Sequence, residues 1–436
     1  MDIYNLISFI GIFLLIAFAW LCSSHKKTIN WRVIIWGISL QFFFAIFIFI
    51  LPLGSKIFLF INTIIVNILN SATAGSEFLF GRLALPPETV NAAGEKSLGF
   101  FLAFQALPTI IFFAALVGIL YYYNILPLII RGFAYIFTKL MRVSGAESLC
   151  ISSNIFVGIE SSLTIRPHLA TMTHSELHTI LTGGMATIAS SVMASYVYML
   201  KDVFPNLAGH LVSASLISAP AALVMSKLIV PETEKPETLG KHIKPEYTKE
   251  SSFMEAVIKG ANSGVKLVVG VSALLLAFLG LMSLINLCTG GIGNWINNLT
   301  GFNFDWSLEN ILGIIFYPFT VIIGVPLEDA LVISRLIGER AIVTELTAYQ
   351  HLAVILQENG LTHPRSAVIC TYALCGFAHI ASLAIFVGGI SALIPERRKD
   401  LAHLGFRALL AATLACLMTA AVAGTFFTKE SILLNL

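Results

Sequence analysis

The sequence predicts an all-α integral membrane protein on three observations. Of its 436 residues 57% are hydrophobic and only 11% charged, apolar segments long enough to cross a bilayer recur along it, and the order of its interrupted segments repeats. A soluble domain carries about a quarter charged residues, and a mean hydropathy of +0.87 excludes one. A helix needs roughly 20 apolar residues to cross a hydrocarbon core of about 30 Å. The formal charge of +2 offers no basic face to nucleic acid. Six cysteines, Cys22, Cys150, Cys288, Cys370, Cys375 and Cys416, lie in or beside apolar stretches without paired spacing, so neither disulfides nor a zinc site is indicated.

Taken in order, apolar segments at 3–23, 31–53, 104–126, 175–200, 207–230, 257–288, 367–394 and 404–427 are predicted as eight transmembrane helices. The first could pass for a signal peptide because it carries the small-x-small triplet Ala17-Phe18-Ala19, but Asp2 precedes it and His25-Lys26-Lys27 follow it, the reverse of a leader's charge order. It is expected as a retained helix with its N-terminus outside. Three stretches do not fit as spans: 128–146 is amphipathic and basic, 148–172 is broken by Gly158-Ile159-Glu160-Ser161-Ser162, and 305–357 alternates apolar runs with Gly, Pro and acids. These are expected as interfacial helices and two re-entrant hairpins, because irregular backbone at membrane depth must line protein or water. Lys26, Lys27 and Arg32, then Arg131, Lys139 and Arg142, then Arg397, Arg398 and Lys399 fall on one side, which the positive-inside rule makes cytoplasmic. The Pro-rich tract 231–252, with Lys235, Lys241, Lys244 and Lys249, is expected as a solvated cytoplasmic loop.

That tract separates two sets of elements in matching order: helix, interfacial stretch, broken hairpin, interrupted helix, helix. The first set starts outside and the second inside, so the expectation is a pair of inverted repeats related by a two-fold axis in the membrane plane. The expected division is 1–100 for N-terminal scaffold helices and an extracytoplasmic connection, 101–230 for the first repeat, 231–252 for the linker and 253–428 for the second repeat.

Candidate functional residues are the polar ones these segments carry. Glu160 lies about ten residues into its hairpin, a rise of about 15 Å that puts a carboxylate near the midplane. Such a group costs about 2.5–3.5 kcal/mol at a span's centre and is expected to face a partner or water; capping of the hairpin tip by backbone N–H groups is the plainer alternative. Glu345 occupies the corresponding place in the second set. Glu328 and Asp329 point about 100° apart on a helix and read as start-of-helix acids. Small and polar residues interrupt two spans, Gly183-Gly184-Met185-Ala186-Thr187-Ile188-Ala189-Ser190-Ser191 and Cys375-Gly376-Phe377-Ala378-His379-Ile380-Ala381-Ser382. Close packing accounts for the small residues; His379 within a span reads as a ligand contact or a proton carrier.

Over residues 5–428 the chain resembles the concentrative nucleoside transporters, sodium-coupled nucleoside permeases. The resemblance is carried by Asn154-Ile155-Phe156-Val157-Gly158, Arg166-Pro167, Met172-Thr173 with Ser175-Glu176-Leu177, Gly184-Met185-Ala186-Thr187-Ile188-Ala189, Pro231-Glu232-Thr233-Glu234-Lys235-Pro236, Gly324-Val325-Pro326, Ala373-Leu374-Cys375-Gly376-Phe377-Ala378 and Pro395-Glu396-Arg397-Arg398. It implies a symporter in the cell inner membrane, assembled as a homotrimer, whose two hairpins and two broken helices move against a scaffold in an elevator-like cycle. By the resemblance, Glu160 matches a nucleobase-contacting tip glutamate and Glu345 a ribose-binding glutamate. Phe377 and Ser382 match ribose-segment positions, with His379 in place of an asparagine. Asn154 and Thr187 match side-chain ligands of Na+, and Val157 and Ile188 give carbonyls to it.

The departures fall on the pocket. Ile159 replaces a Gln-Thr pair and shortens the tip by one residue, Ala381 replaces a serine, and Thr344-Glu345-Leu346-Thr347-Ala348 replaces Asn-Glu-Phe-Val-Ala. Fold and ion coupling carry over more fully than substrate choice, because lost polar contacts change discrimination steeply. The expected function is therefore sodium-coupled import of nucleosides or a closely related polar solute. The alternatives are proton coupling through His379 or Glu160, and an intramembrane enzyme with Ser161 or Ser162 as nucleophile and His168 as base. No enzymatic activity is expected.

Overall fold

The computed structural model describes residues 2–91, 94–246, 250–301 and 303–428. It is an all-α membrane architecture. Helix α1 (Ile3–Leu21) starts from an Asp2 cap, and α2 (Trp31–Ala45) continues through a π turn at Ile46–Ile50. Pro52 then opens α3 (Pro52–Phe80), a 29-residue helix within the expected extracytoplasmic connection. Length and composition would let α3 span a membrane, but its contacts place it along one face. Asn62 bonds Pro205 O and the Gly209 N–H, and Asn70 lies 3.5 Å from Lys201 Nζ. Residues eight apart on the helix therefore meet the same short inter-helix connection, which a transverse helix would pass at one point only.

A short turn, α4 (Leu102–Gln105), leads into α5 (Leu107–Tyr122) and the interfacial α6 (Ile125–Met141). The first hairpin comprises α7 (Gly145–Asn154) and a 3-10 limb, Ile159–Thr171. The expected interrupted helix is two half-helices, α8 (His174–Ala186) and α9 (Ser190–Leu200), followed by α10 (Leu207–Ile229). The second set follows the same order. It runs α11 (Phe253–Thr300), α12 (Leu308–Ile322), a hairpin of α13 (Leu327–Ile342) and α14 (Glu345–Gln357), half-helices α15 (Pro364–Leu374) and α16 (Ile380–Leu393), and α17 (Arg398–Thr425). Burial separates an inner layer of α8, α10, α15 and α17 from α1, α2 and α11, which expose apolar side chains to lipid.

The two helix breaks meet in the core. A Cβ on Gly376, between α15 and α16, would lie 2.5 Å from Cys416 Sγ and 3.0 Å from Ala186 O, so only glycine lets the second break approach both α17 and the first. Helix α1 is built into this core. Asn5 donates to Thr425 O and Phe427 O, and the buried Arg365 at the start of α15 bonds Tyr4 O, Asn5, Ser8, Gly324 O and Gly424 O. Asp329 serves α15 rather than its own helix, accepting from the N–H groups of Thr362 and His363 and from Ser366.

The linker is largely exposed, as expected, but it is docked rather than free. Residues 231–246 form a strap across the first hairpin, and Lys249 lies outside the described residues. Glu232 bonds Thr173, and Glu237 accepts from Thr171. Thr238 accepts the Gly145 N–H on its carbonyl and the Ala146 N–H on its hydroxyl, and the Glu246 N–H reaches Thr164 O. Under the strap, Lys227 Nζ sits 2.5 Å from Glu147, the capping-box acid of α7, and 3.3 Å from Glu232. Its few apolar residues suit solvation; what docks it is polar, the N–H groups at the start of α7 and the hydroxyls of Thr171 and Thr173.

Candidate functional site

Glu345 is the first residue of α14, behind a Thr344 cap, and is buried at 4% exposure. Its Oε1 accepts the Tyr196 hydroxyl at 2.5 Å, and its Oε2 lies 2.9 Å from His379 Nε2 without an aligned hydrogen bond. Tyr196, from α9, is fully buried and stacks on Tyr349 with ring centroids 4.8 Å apart. Nothing in the sequence marked Tyr196, because its partner lies 149 positions away.

His379 caps α16. Its Nδ1 accepts the Ser382 backbone N–H at 3.2 Å, which leaves the ring hydrogen on Nε2, 2.7 Å from Ser382 Oγ and 2.9 Å from Glu345. An asparagine at this position caps a helix start with its carbonyl oxygen; histidine keeps that acceptor and adds a donor at Nε2, which lies between Ser382 Oγ and the carboxylate. One polar chain thus runs Tyr196, Glu345, His379, Ser382 through an otherwise apolar wall.

Glu345, His379 and Ser382 line a cavity of about 100 Å³, with Phe377 and Phe386 as aromatic walls and Ile159 and Glu160 from the hairpin tip. Ile159 packs towards Gly389, where a Cβ would lie 2.2 Å from its Cδ1. Glu160 is exposed at the hairpin tip and lines the cavity. At Gly158, Glu160 and Leu267 the cavity joins a vestibule of about 430 Å³ that opens at the linker side past Arg166, Glu246, Glu250 and Lys259. Glu250 and Lys259 pair there at 2.6 Å.

The four residues matched to a cation site lie at two adjoining breaks. Asn154 ends α7, Val157 lies before the 3-10 limb, and Thr187 and Ile188 separate α8 from α9. The Ser190 N–H bonds Phe156 O at 2.9 Å and ties the breaks together. Asn154 Oδ1 accepts from Ser161 Oγ at 2.8 Å, and Thr187 Oγ1 donates to Gly183 O at 2.9 Å. Among the described residues no backbone N–H bonds the carbonyl of Val157 or Ile188. Neutral side-chain oxygens and free carbonyls where helices unwind suit a hard monovalent cation. The serines of the hydrolytic alternative bond elsewhere, Ser161 to Asn154 and Ser162 to Ile159 O, and neither pairs with His168.

Comparison with known proteins fits this geometry. The description "Na+ dependent nucleoside transporter N-terminus" matches residues 10–83, "Nucleoside recognition" residues 103–202, and "Na+ dependent nucleoside transporter C-terminus" residues 210–424. The chain is 37% identical over 434 residues to mouse Solute carrier family 28 member 3, covering 96% of this chain and 58% of that protein. It thus spans under two thirds of that relative's length. An uncharacterised transporter of Haemophilus influenzae is 37% identical over 429 residues, covering 96% of this chain and 97% of the other. Among solved structures, CNTnw in an inward-facing substrate-bound state matches with a TM-score of 0.86 and 35% identity, over 97% of this chain and 98% of that one. A CNTnw variant in an outward-facing state matches with a TM-score of 0.86 and 34% identity, over 98% of each chain. The chain belongs to the Na+-dependent nucleoside transporter family, a family of transporters and not of enzymes.

Proposed function

We propose that the protein is a secondary active transporter that imports nucleosides, or a closely related polar solute, down a sodium gradient. The observation that carries this reading is the chain Tyr196, Glu345, His379, Ser382, which leaves one carboxylate oxygen without an aligned donor on the wall of a cavity. A sugar hydroxyl donates to that oxygen, and the His379 N–H donates to a second sugar oxygen. Glu160 at the tip faces the base, Phe377 walls the cavity, and the vestibule gives the ligand room. Cavity and vestibule together fall in the range of about 300–1,000 Å³ usual for small-ligand sites. Sodium binds Asn154, Val157, Thr187 and Ile188, holding hairpin and half-helix in the shape that completes the site.

The vestibule's opening at the linker side supports an inward-facing state in an elevator-like alternating-access cycle. In this reading the N-terminus lies outside and the linker in the cytoplasm, the membrane is the cell inner membrane, and the assembly is a homotrimer. The division at 1–100, 101–230, 231–252 and 253–428 separates scaffold, two inverted repeats and strap. The contact of His379 with Glu345 favours proton coupling as the second reading, since imidazole and carboxylate together can carry a proton. The test is equilibrium binding of labelled uridine and adenosine to purified protein in sodium and in choline. Saturable binding that sodium strengthens supports the reading, and binding of neither ligand in sodium contradicts it.

A further inference from the structure

Away from the transport site, the junction of α2, α6 and the strap holds an open cavity of about 450 Å³ lined by Arg32, Lys139, Arg142, His242, Thr138 and Gly240. Three of these are permanently cationic types, Arg32 from α2 and Lys139 and Arg142 from the end of α6, and among the described residues no carboxylate lines the cavity or pairs with Arg32, Lys139 or Arg142. Like charges gathered without an acid repel one another and are stable together only beside an anion or in water.

Each wall is fixed by contacts of its own. Arg32 is held by Leu140 O and Lys139 O at the end of α6, at 2.8 and 3.2 Å. Lys139 lies against Tyr135, bonding its hydroxyl at 3.1 Å, and His242 from the strap stacks on the same ring at 4.6 Å. Arg142 ends α6 in the left-handed region, φ 53°, a position that favours glycine or asparagine. An arginine there costs backbone energy of order 1 kcal/mol, and its charge completes the basic wall.

The cavity lies at a membrane boundary. Arg32 is the second residue of span α2, beside the exposed Trp31, and α6 exposes Ile125, Leu128, Ile129 and Tyr135 along its outer side. A cationic cavity at the water edge next to an apolar strip is the arrangement that takes a phosphate with acyl chains attached.

We propose that this cavity binds the phosphate of an anionic lipid, with its chains along the exposed side of α6. Arg142-Val143-Ser144 lead directly from this site into the capping box of α7, so a bound lipid steadies the root of the first hairpin. The site stands on the membrane boundary alone and does not depend on what the protein carries.

The test is lipid retention by the full-length protein in nanodiscs and detergent, read by native mass spectrometry with phosphatidylglycerol, phosphatidylcholine or inorganic phosphate. Wild type should retain phosphatidylglycerol over phosphatidylcholine. Lys139→Gln with Arg142→Gln should weaken that retention about 30-fold, at about 1 kcal/mol per charge, while Lys139→Arg with Arg142→Lys should keep it. Lys26→Gln with Lys27→Gln, which removes boundary charge outside the cavity, should leave retention unchanged. Equal retention of the neutral lipid, equal loss in the Lys26/Lys27 variant, or no loss in the Lys139/Arg142 variant would overturn the proposal. Displacement of the lipid by equimolar inorganic phosphate would assign the cavity to a free anion and overturn it too. A monodisperse Lys139/Arg142 variant of unchanged melting temperature separates lost binding from lost folding.

Discussion

Replacing Tyr196 with phenylalanine removes one oxygen from the site and leaves the ring stack on Tyr349, 4.8 Å between centroids and 25° between planes. The lost interaction is a 2.5 Å hydrogen bond from a buried hydroxyl to the Glu345 carboxylate. A hydrogen bond to a charged group contributes about 1.5–3 kcal/mol, equivalent to about 10- to 150-fold in an equilibrium constant. Freed of that bond, the carboxylate turns towards His379, and the oxygen without an aligned donor loses its position. The expected result is a KM for nucleoside uptake raised about tenfold or more, with a monodisperse protein in detergent. A ligand lacking the sugar hydroxyl that meets Glu345 should lose little, because Tyr196 acts on the ligand only through that carboxylate. Uptake by proteoliposomes of a nucleoside and its 2′- and 3′-deoxy forms separates the outcomes. An unchanged KM in Tyr196→Phe, or an equal loss for all three ligands, would refute the positioning role.

Three further outcomes follow from the same geometry. Glu345→Gln sets an amide that donates on one side against two neighbours that donate, Tyr196 and His379, so uptake should fall to background while the purified protein stays monodisperse in detergent; normal uptake would remove the residue from the site. His379→Asn keeps the helix cap and loses the titrating ring, so the substrate profile should shift or the pH curve of transport flatten; if both stay as in wild type, His379 is a packed cap and nothing more. Gly145→Val meets Lys241 O, 2.0 Å from where the Cβ would lie, and should lift the strap at a cost of about 1–3 kcal/mol. Limited trypsin digestion should then cut at Lys241 and Lys244 faster than in wild type, and an unchanged rate would argue against a docked strap.

Hydropathy made the spans legible because lipid imposes length and composition directly on the chain. The same reasoning located both hairpins and Glu160, Glu345 and His379, since a titratable residue in an apolar run stands out against its neighbours. Helix α3 was hidden by Asn62, Asn67, Asn70 and Glu77, which dilute its apolar signal, and by Pro52, which reads as a stop and here is a start. The half-helices were legible as interruptions but not as breaks: Thr187–Ala189 and Cys375–His379 unwind because of what packs across them, including Cys416 from α17. Tyr196 was not legible because a single tyrosine in a buried helix carries no local signal of its partner. The docking of the strap was not legible for a related reason, since Thr238 caps a helix 92 positions earlier.

In the proposed function, Asn154, Val157, Thr187 and Ile188 hold the driving ion beside the ligand cavity. That role is tested most directly by labelled nucleoside uptake into proteoliposomes, with an inward sodium gradient and in sodium-free choline buffer across about pH 5.5 to 8, a range that spans the usual titration of histidine. The expected results are uptake in sodium, its loss in choline at every pH, and the same loss in sodium for Asn154→Ala. Undiminished uptake in choline that follows the proton gradient would contradict that role.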